Sequence, residues 1–279
     1  MIPRSTVTIA AFLAAVASLG PPAYSQTREQ LETCQSSLSV DHKGIVLACT
    51  AVIDSKTLNG FELASAYYFR GDALKEMGAF DRAIPDLTEA IRLAPDAPDP
   101  YSARGQVFSE LEKFDDAIKD FDMVIRLAPK DGFAFQLRGD AYESKGQHAR
   151  AIEDYDEVLR LDPTDAFALA VRCSLRAHWG QQLEVALRDC SEAVRLKPRE
   201  EFSLEQRGFV YLRLGQYREA IADYSAALAG YDGRAESLYG RGIAKLRSGD
   251  PASGAEDIAR AASIDANIAK TFATWGTNP

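Results

Sequence analysis

Residues 131–165 read DGFAFQLRGDAYESKGQHARAIEDYDEVLRLDPTD, and the spacing of a few residue types in that stretch decides the fold. Phe135, Arg138, Gly139 and Tyr142 follow at intervals of three, one and three, which places them on one stripe of a helix. Gly146 can take the left-handed conformation that ends such a helix. A second stripe runs through Ala151, Tyr155 and Val158, and Leu161-Asp162-Pro163 stops it because proline cannot continue a helix. The small residues Gly139 and Ala151 predict two antiparallel helices in close approach, with Phe135 and Tyr155 filling the space beside them.

Outward from this stretch the same rhythm returns about every 34 residues. The glycine slot holds Gly71, Gly105, Gly139, Gly208 and Gly242, with Cys173 in the fourth unit. Ala83, Ala117, Ala151, Ala186 and Ala220 follow at matching distance, with Gly254 in the last unit, and Pro95, Pro129, Pro163 and Pro198 close four units. A period of this length marks a solenoid, because one unit cannot bury its apolar face without a neighbour. The reading is therefore all-α, a single array of six helical hairpins at 64–97, 98–131, 132–165, 166–200, 201–234 and 235–267. Residues 26–61 form a degenerate N-terminal hairpin with Ile45, Cys49 and Val52 on one face. Residues 263–279 place Ile264, Ile268, Phe272 and Trp275 at helical spacing, which predicts a capping helix over the core edge of the sixth hairpin.

The unit resembles the tetratricopeptide repeat. That family's run of aromatic, Leu-Gly, Tyr, Ala, aromatic and Pro is matched by Phe135, Arg138-Gly139, Tyr142, Ala151, Tyr155 and Pro163. Arg stands where the family has Leu, the fourth unit carries one extra residue between Gly180 and Ala186, and the last two units lack the proline. The resemblance implies a right-handed superhelical solenoid of antiparallel helix pairs, with a concave groove of first helices that holds a peptide or helix of a partner protein. The stripe of each first helix that faces away from its own hairpin supplies the candidate groove. It comprises Tyr68, Asp72, Gln106, Gln136, Asp140 and Glu143, then Phe209, Arg213, Tyr239, Ile243 and Arg247. Its first half is acidic and polar and its end apolar and basic, which suits a partner segment of mixed character. The Lys and Asn with which one subtype grips a C-terminal carboxylate are missing here, so that activity is not carried over.

Two further patterns run through the units. Arg70, Arg104, Arg138, Arg172, Arg207 and Arg241 precede the glycine slot, and Asp86, Asp120, Asp154, Asp189, Asp223 and Asp257 precede the apolar slot of the second helix. Strict one-to-one occurrence predicts ion pairs across the seam; the competing reading is a row of arginines that binds anions. In the fourth unit two template positions change together, to Cys173 and Cys190, which the hairpin would set face to face. Cys34 and Cys49 suit a like arrangement in the N-terminal hairpin, so two disulfides are expected, against four buried free thiols.

Arg4, the apolar run 7–19 and Ala23-Tyr24-Ser25 have the form of a signal peptide, 1–25, so the chain is expected to be exported, periplasmic or secreted, with no membrane span after cleavage. The formal charge of −9 at pH 7 argues against nonspecific binding of nucleic acid. No phosphate loop, metal-binding His-Glu helix or nucleophile elbow is present, and His42, His148 and His178 stand alone. No enzyme activity, cofactor or metal is expected. The function read from the sequence is a protein-binding scaffold of the cell envelope. The alternative is a cell-wall glycan binder stacking sugars on Tyr68, Phe209 and Tyr239, or a peptidoglycan-associated hydrolase. Nothing in the sequence specifies the oligomeric state or the partner's identity.

Overall fold

The computed structural model describes residues 32–35 and 41–277, and every regular element among them is a helix. The expected signal segment 1–25 and part of the N-terminal hairpin lie outside the described residues. The chain divides into two compact units, 1–128 and 129–279.

In the first unit α1 (His42–Asp54) leads into two hairpins, α2 (Gly60–Glu76) with α3 (Phe80–Leu93) and α4 (Pro98–Glu110) with α5 (Phe114–Leu127). Asp41 caps α1, its side chain accepting from the Gly44 amide at 3.0 Å. Ile45, Cys49 and Val52 of α1 turn inward against Ala66 and Ala73 of α2. Cys34, in a helical turn at 32–34, is bonded to Cys49 with the Cα atoms 4.7 Å apart. α3 runs unbroken across Pro85, which lies early enough in the helix that few backbone bonds are lost.

The second unit has four hairpins. They are α6 (Gly132–Ser144) with α7 (His148–Leu161), α8 (Ala166–Trp179) with α9 (Leu183–Leu196), α10 (Glu201–Arg213) with α11 (Tyr217–Ala227), and α12 (Ala235–Ser248) with α13 (Pro251–Ile264). A short helix, α14 (Ile268–Thr274), follows. Gly146 closes α6 at φ +69°, the left-handed conformation its position calls for, and the Gln147 amide then bonds the Tyr142 carbonyl at 2.8 Å. In the α8–α9 turn the extra residue is taken up by Gly180 at φ +78° and Gln182 at φ +55°.

Small residues set how closely the helices of a hairpin approach. A Cβ on Gly105 would stand 2.6 Å from the Phe121 ring, and one on Gly139 would stand 3.1 Å from the Tyr155 ring. In the last hairpin both seam slots are glycine, and a Cβ on Gly242 would stand 2.8 Å from the Gly254 carbonyl oxygen. There the obstacle is backbone, so relief requires moving a helix rather than a ring. In the fourth hairpin Cys173 takes the glycine position and Cys190 the large apolar position of the second helix, and the two are bonded, fully buried, with Cα atoms 5.6 Å apart.

Beside the glycine slot each hairpin carries an Arg–Asp pair. Arg70–Asp86, Arg104–Asp120, Arg138–Asp154, Arg172–Asp189, Arg207–Asp223 and Arg241–Asp257 are all two-pronged, with Nε and Nη2 donating to the two carboxylate oxygens at 2.6–3.0 Å. The aspartate side chains are only 4–10% exposed. In four pairs Nη1 reaches back to the preceding second-helix element or to α1. Arg70 donates to Thr50 Oγ1 at 3.1 Å, Arg104 to Thr88 Oγ1 at 2.9 Å, Arg172 to Asp156 at 2.7 Å and Arg241 to Ser225 Oγ at 3.3 Å. Thr88, Asp156 and Ser225 each stand two residues after the ladder aspartate of their own hairpin.

Two outcomes are expected in urea denaturation. Gly242→Ala should cost about 1 to 3 kcal/mol, and more than Gly139→Ala, because only the former meets backbone. Arg138→Ala and Asp154→Ala should be non-additive, with a coupling of about 1 to 3 kcal/mol in a double-mutant cycle. Simple addition of the two losses would mean the pair is not a unit.

Candidate protein-interaction surface

With the seam occupied by Arg, Asp and small residues, each hairpin offers the opposite stripe of its first helix. In the first unit this stripe is polar, and its carboxylates share a cation. Lys75 contacts Asp72 at 2.8 Å and Glu76 at 3.2 Å, and its ammonium donates to Gln106 Oε1 at 3.5 Å. Burial opposes the charge on Lys75, but these carboxylates prevail and hold its pKa above the ordinary lysine value. Gln106 in turn donates to Ser102 Oγ at 3.3 Å, and the half-buried Tyr68 ring lies 5.1 Å from Phe69.

In the second unit the stripe on α6 is not balanced. Gln136, Asp140 and Glu143 are half-buried on one face of that helix. Asp140 accepts a hydrogen bond from the Tyr155 hydroxyl, which comes through from α7. Burial holds the Asp140 carboxyl above its ordinary range, and the Tyr155 bond opposes this only in part. Glu143 is likewise raised, first by burial and then by the charge of Asp140. No cation stands against either carboxylate among the described residues. The face therefore holds two partly desolvated acids whose compensating positive charge is not supplied by the described chain.

Tyr155 was legible only as a seam filler. Its ring packs on Gly139 while its hydroxyl reaches the opposite stripe. The available signal was chemical: Leu87 and Phe121 fill the same slot in other hairpins, whereas a buried tyrosine hydroxyl needs a partner.

The apolar end of the expected groove must be corrected. Phe209, Tyr239 and Ile243 are buried, at 3%, 3% and 0% exposure, and belong to the core of the second unit. α14 covers them. The chain turns at residues 265–267 and lays Ile268 and Phe272 across the first helices instead of only over the edge of the last hairpin. The Phe272 ring meets Phe209 edge-on at 5.7 Å and Tyr239 at 4.8 Å. Trp275 stacks on His178 at 4.0 Å and stands edge-on to Phe209 at 5.4 Å. The Arg213 guanidinium donates from Nη1 to the Ala177 carbonyl at 2.7 Å and the Trp275 carbonyl at 2.8 Å. His178 is pushed down to about 4 by burial, with help from the charges of Arg213 and His148. The imidazole is thus neutral at pH 7 and free to stack. Arg247 is exposed at the end of α12, and Ile264, expected on the cap, is 48% exposed at the end of α13. With Phe209 and Tyr239 buried, two of the three rings proposed as sugar-stacking faces are out of reach.

Family models of the tetratricopeptide repeat match residues 71–112, 102–166 and 206–267. No curated protein matches the chain by sequence. Among solved structures, a tetratricopeptide repeat protein from Parabacteroides merdae is 18% identical with a TM-score of 0.68, over 91% of this chain and 100% of its own. YrrB, a TPR protein described as having an unusual peptide-binding site, is 18% identical with a TM-score of 0.53, over 68% of this chain and 98% of its own. MamA is 21% identical with a TM-score of 0.53, over 62% of this chain and 94% of its own. Hairpins with a repeated small-residue seam, matched by these models over most of the array, place the chain in the tetratricopeptide repeat family, a class of protein-interaction scaffolds.

Proposed function

We propose that the chain is a non-catalytic scaffold of the cell envelope that binds a basic segment of a partner protein on the first-helix face of α6. The observation that carries this reading is the pair Asp140 and Glu143, held half-buried without a cation. The Tyr155 hydroxyl gives Asp140 a hydrogen-bond partner but leaves both charges uncompensated, whereas the seam ladder next to it pairs each of its carboxylates with a guanidinium. A lysine or arginine of a partner would supply the missing charge, and the Tyr155 hydroxyl fixes the orientation of Asp140 in advance. The peptide-binding site named for YrrB supports the general mode, and Gln136 adds a neutral donor and acceptor to the same face. Export is supported by the signal-like segment 1–25 and by two cysteine pairs at bonding distance, which persist in an oxidising compartment.

Asp140→Asn is expected to separate stability from binding. It keeps an acceptor for Tyr155 and removes a desolvated charge, so the unfolding free energy should hold or rise, by about 1 kcal/mol at most, and the melting midpoint should not fall. Binding of fluorescein-labelled Lys- and Arg-rich peptides by the Asp140→Asn, Glu143→Gln variant should fall at least tenfold. Both folded-state pKa values are raised, so the carboxylates lose charge at higher pH than the ordinary range of about 4. Peptide binding should therefore weaken as pH falls from 7, beginning above that range, while protonation of these two groups favours the folded state. Peptide affinity equal in the variant and the parent chain would remove the site.

A further inference from the structure

The second unit carries its own ligand-like element. α14 is seven residues long, too short to hold a helix in water without docking. Its buried side chains, Ile268 and Phe272, and the partly buried Trp275 that follows its last turn fall at i, i+4 and i+7, while Ala269, Lys270, Ala273 and Thr274 face outward. The surface beneath it is assembled from three first helices: His178 of α8, Phe209 and Arg213 of α10, and Tyr239 of α12. Arg213 spends its charge on two backbone carbonyls, one of them just past the end of α14, and burial lowers its pKa with no carboxylate against it among the described residues. The seam does not depend on α14. Every Arg–Asp pair and both disulfides are made by other elements, so displacing the short helix breaks none of them.

We propose that α14 is a built-in competitor. The surface on α8, α10 and α12 is a docking site for an amphipathic helix of a partner protein with large apolar or aromatic residues at i, i+4 and i+7, and such a helix enters by displacing α14. The spacing of Ile268, Phe272 and Trp275 is the template for the partner's anchors, and Arg213 receives the carbonyl at the end of either helix. The proposal rests on the reading of first-helix faces as the working surface, but it uses a different part of that surface from Asp140 and Glu143.

The probe is a fluorescein-labelled peptide of residues 265–277 of this chain, added to the full chain. Binding should be weak to the parent, at least tenfold tighter to Trp275→Ala, which loosens the helix in cis, and lost when Arg213→Ala is added to that variant. Helix content and melting midpoint check that each variant is folded. If Trp275→Ala is not folded, hydrogen exchange on the unaltered chain decides. Saturating peptide should speed exchange at amides 268–275 and leave the α6–α7 hairpin unchanged. Equal affinity for parent and Trp275→Ala, no binding to either, or unchanged exchange at 268–275 would overturn the proposal. A concentration-dependent dimer of the parent chain that disappears in Trp275→Ala would assign the surface to the α14 of a second copy, and would also overturn it. Loss of basic-peptide binding at Asp140 and Glu143 with this peptide still bound would sink only the earlier reading. The converse result would sink only this one.

Discussion

A carboxylate held between two helices organises each hairpin. The ladder aspartates lie on the second helices with almost no access to water, and a charge so placed is costly unless a cation with matching geometry meets it. The guanidinium of the first helix meets it with two parallel bonds, which fixes the rotation of both helices at once. Glycine in the next position lets the backbones approach closely enough for those bonds to form. Apolar burial alone would tolerate a helix rolled by some tens of degrees; the fork of two short bonds does not. At Arg70, Arg104, Arg172 and Arg241 the spare Nη1 extends the constraint to the preceding element, so there one residue sets both the hairpin and the stacking.

The fourth hairpin shows which parts of this arrangement can be exchanged. Glycine and its large apolar counterpart are replaced by Cys173 and Cys190, so a covalent bond stands in for a ring packed on a bare backbone. An extra residue lengthens the turn, yet Arg172 still grips Asp189 with both prongs, because Gly180 and Gln182 absorb the insertion in the left-handed region. Arg176 joins the same carboxylate from one turn further along α8, and Asp156 of α7 stands beside both arginines. Packing chemistry varies from hairpin to hairpin, but the ion pair is present in all six.

The hairpins were legible in the sequence because each is specified by residues within about 35 positions of one another, and repetition gave six readings of one pattern. Asp140 and Glu143 were legible as members of a polar stripe, but their lack of a cation was not, since charge balance depends on what the neighbouring helix presents. Phe209, Tyr239 and Ile243 were misplaced for a related reason. A stripe that points away from its hairpin is open unless another element lies on it, and where α14 lies is decided by the turn at 265–267. That turn occurs once and has no repeat to calibrate it. Helical spacing correctly grouped Ile268, Phe272 and Trp275 on one face, and said nothing about which surface that face would reach.

The outward stripe of the first helix is the one part of the unit the fold leaves free to differ. On α6 it has Asp140 and Glu143 with no cation, and on α10 and α12 it has Phe209, Tyr239 and Ile243 beneath a segment of the same chain. The first arrangement carries a desolvation cost that a stability optimum would remove, whereas the second buries apolar surface only because a seven-residue helix lies on it. The seam, by contrast, satisfies its charges within each hairpin. The seam is not free of such features, since the buried Tyr224 hydroxyl has no hydrogen-bond partner among the described residues, but the two desolvated carboxylates that share one face without a cation lie on the stripe, where the fold's own pairing does not reach.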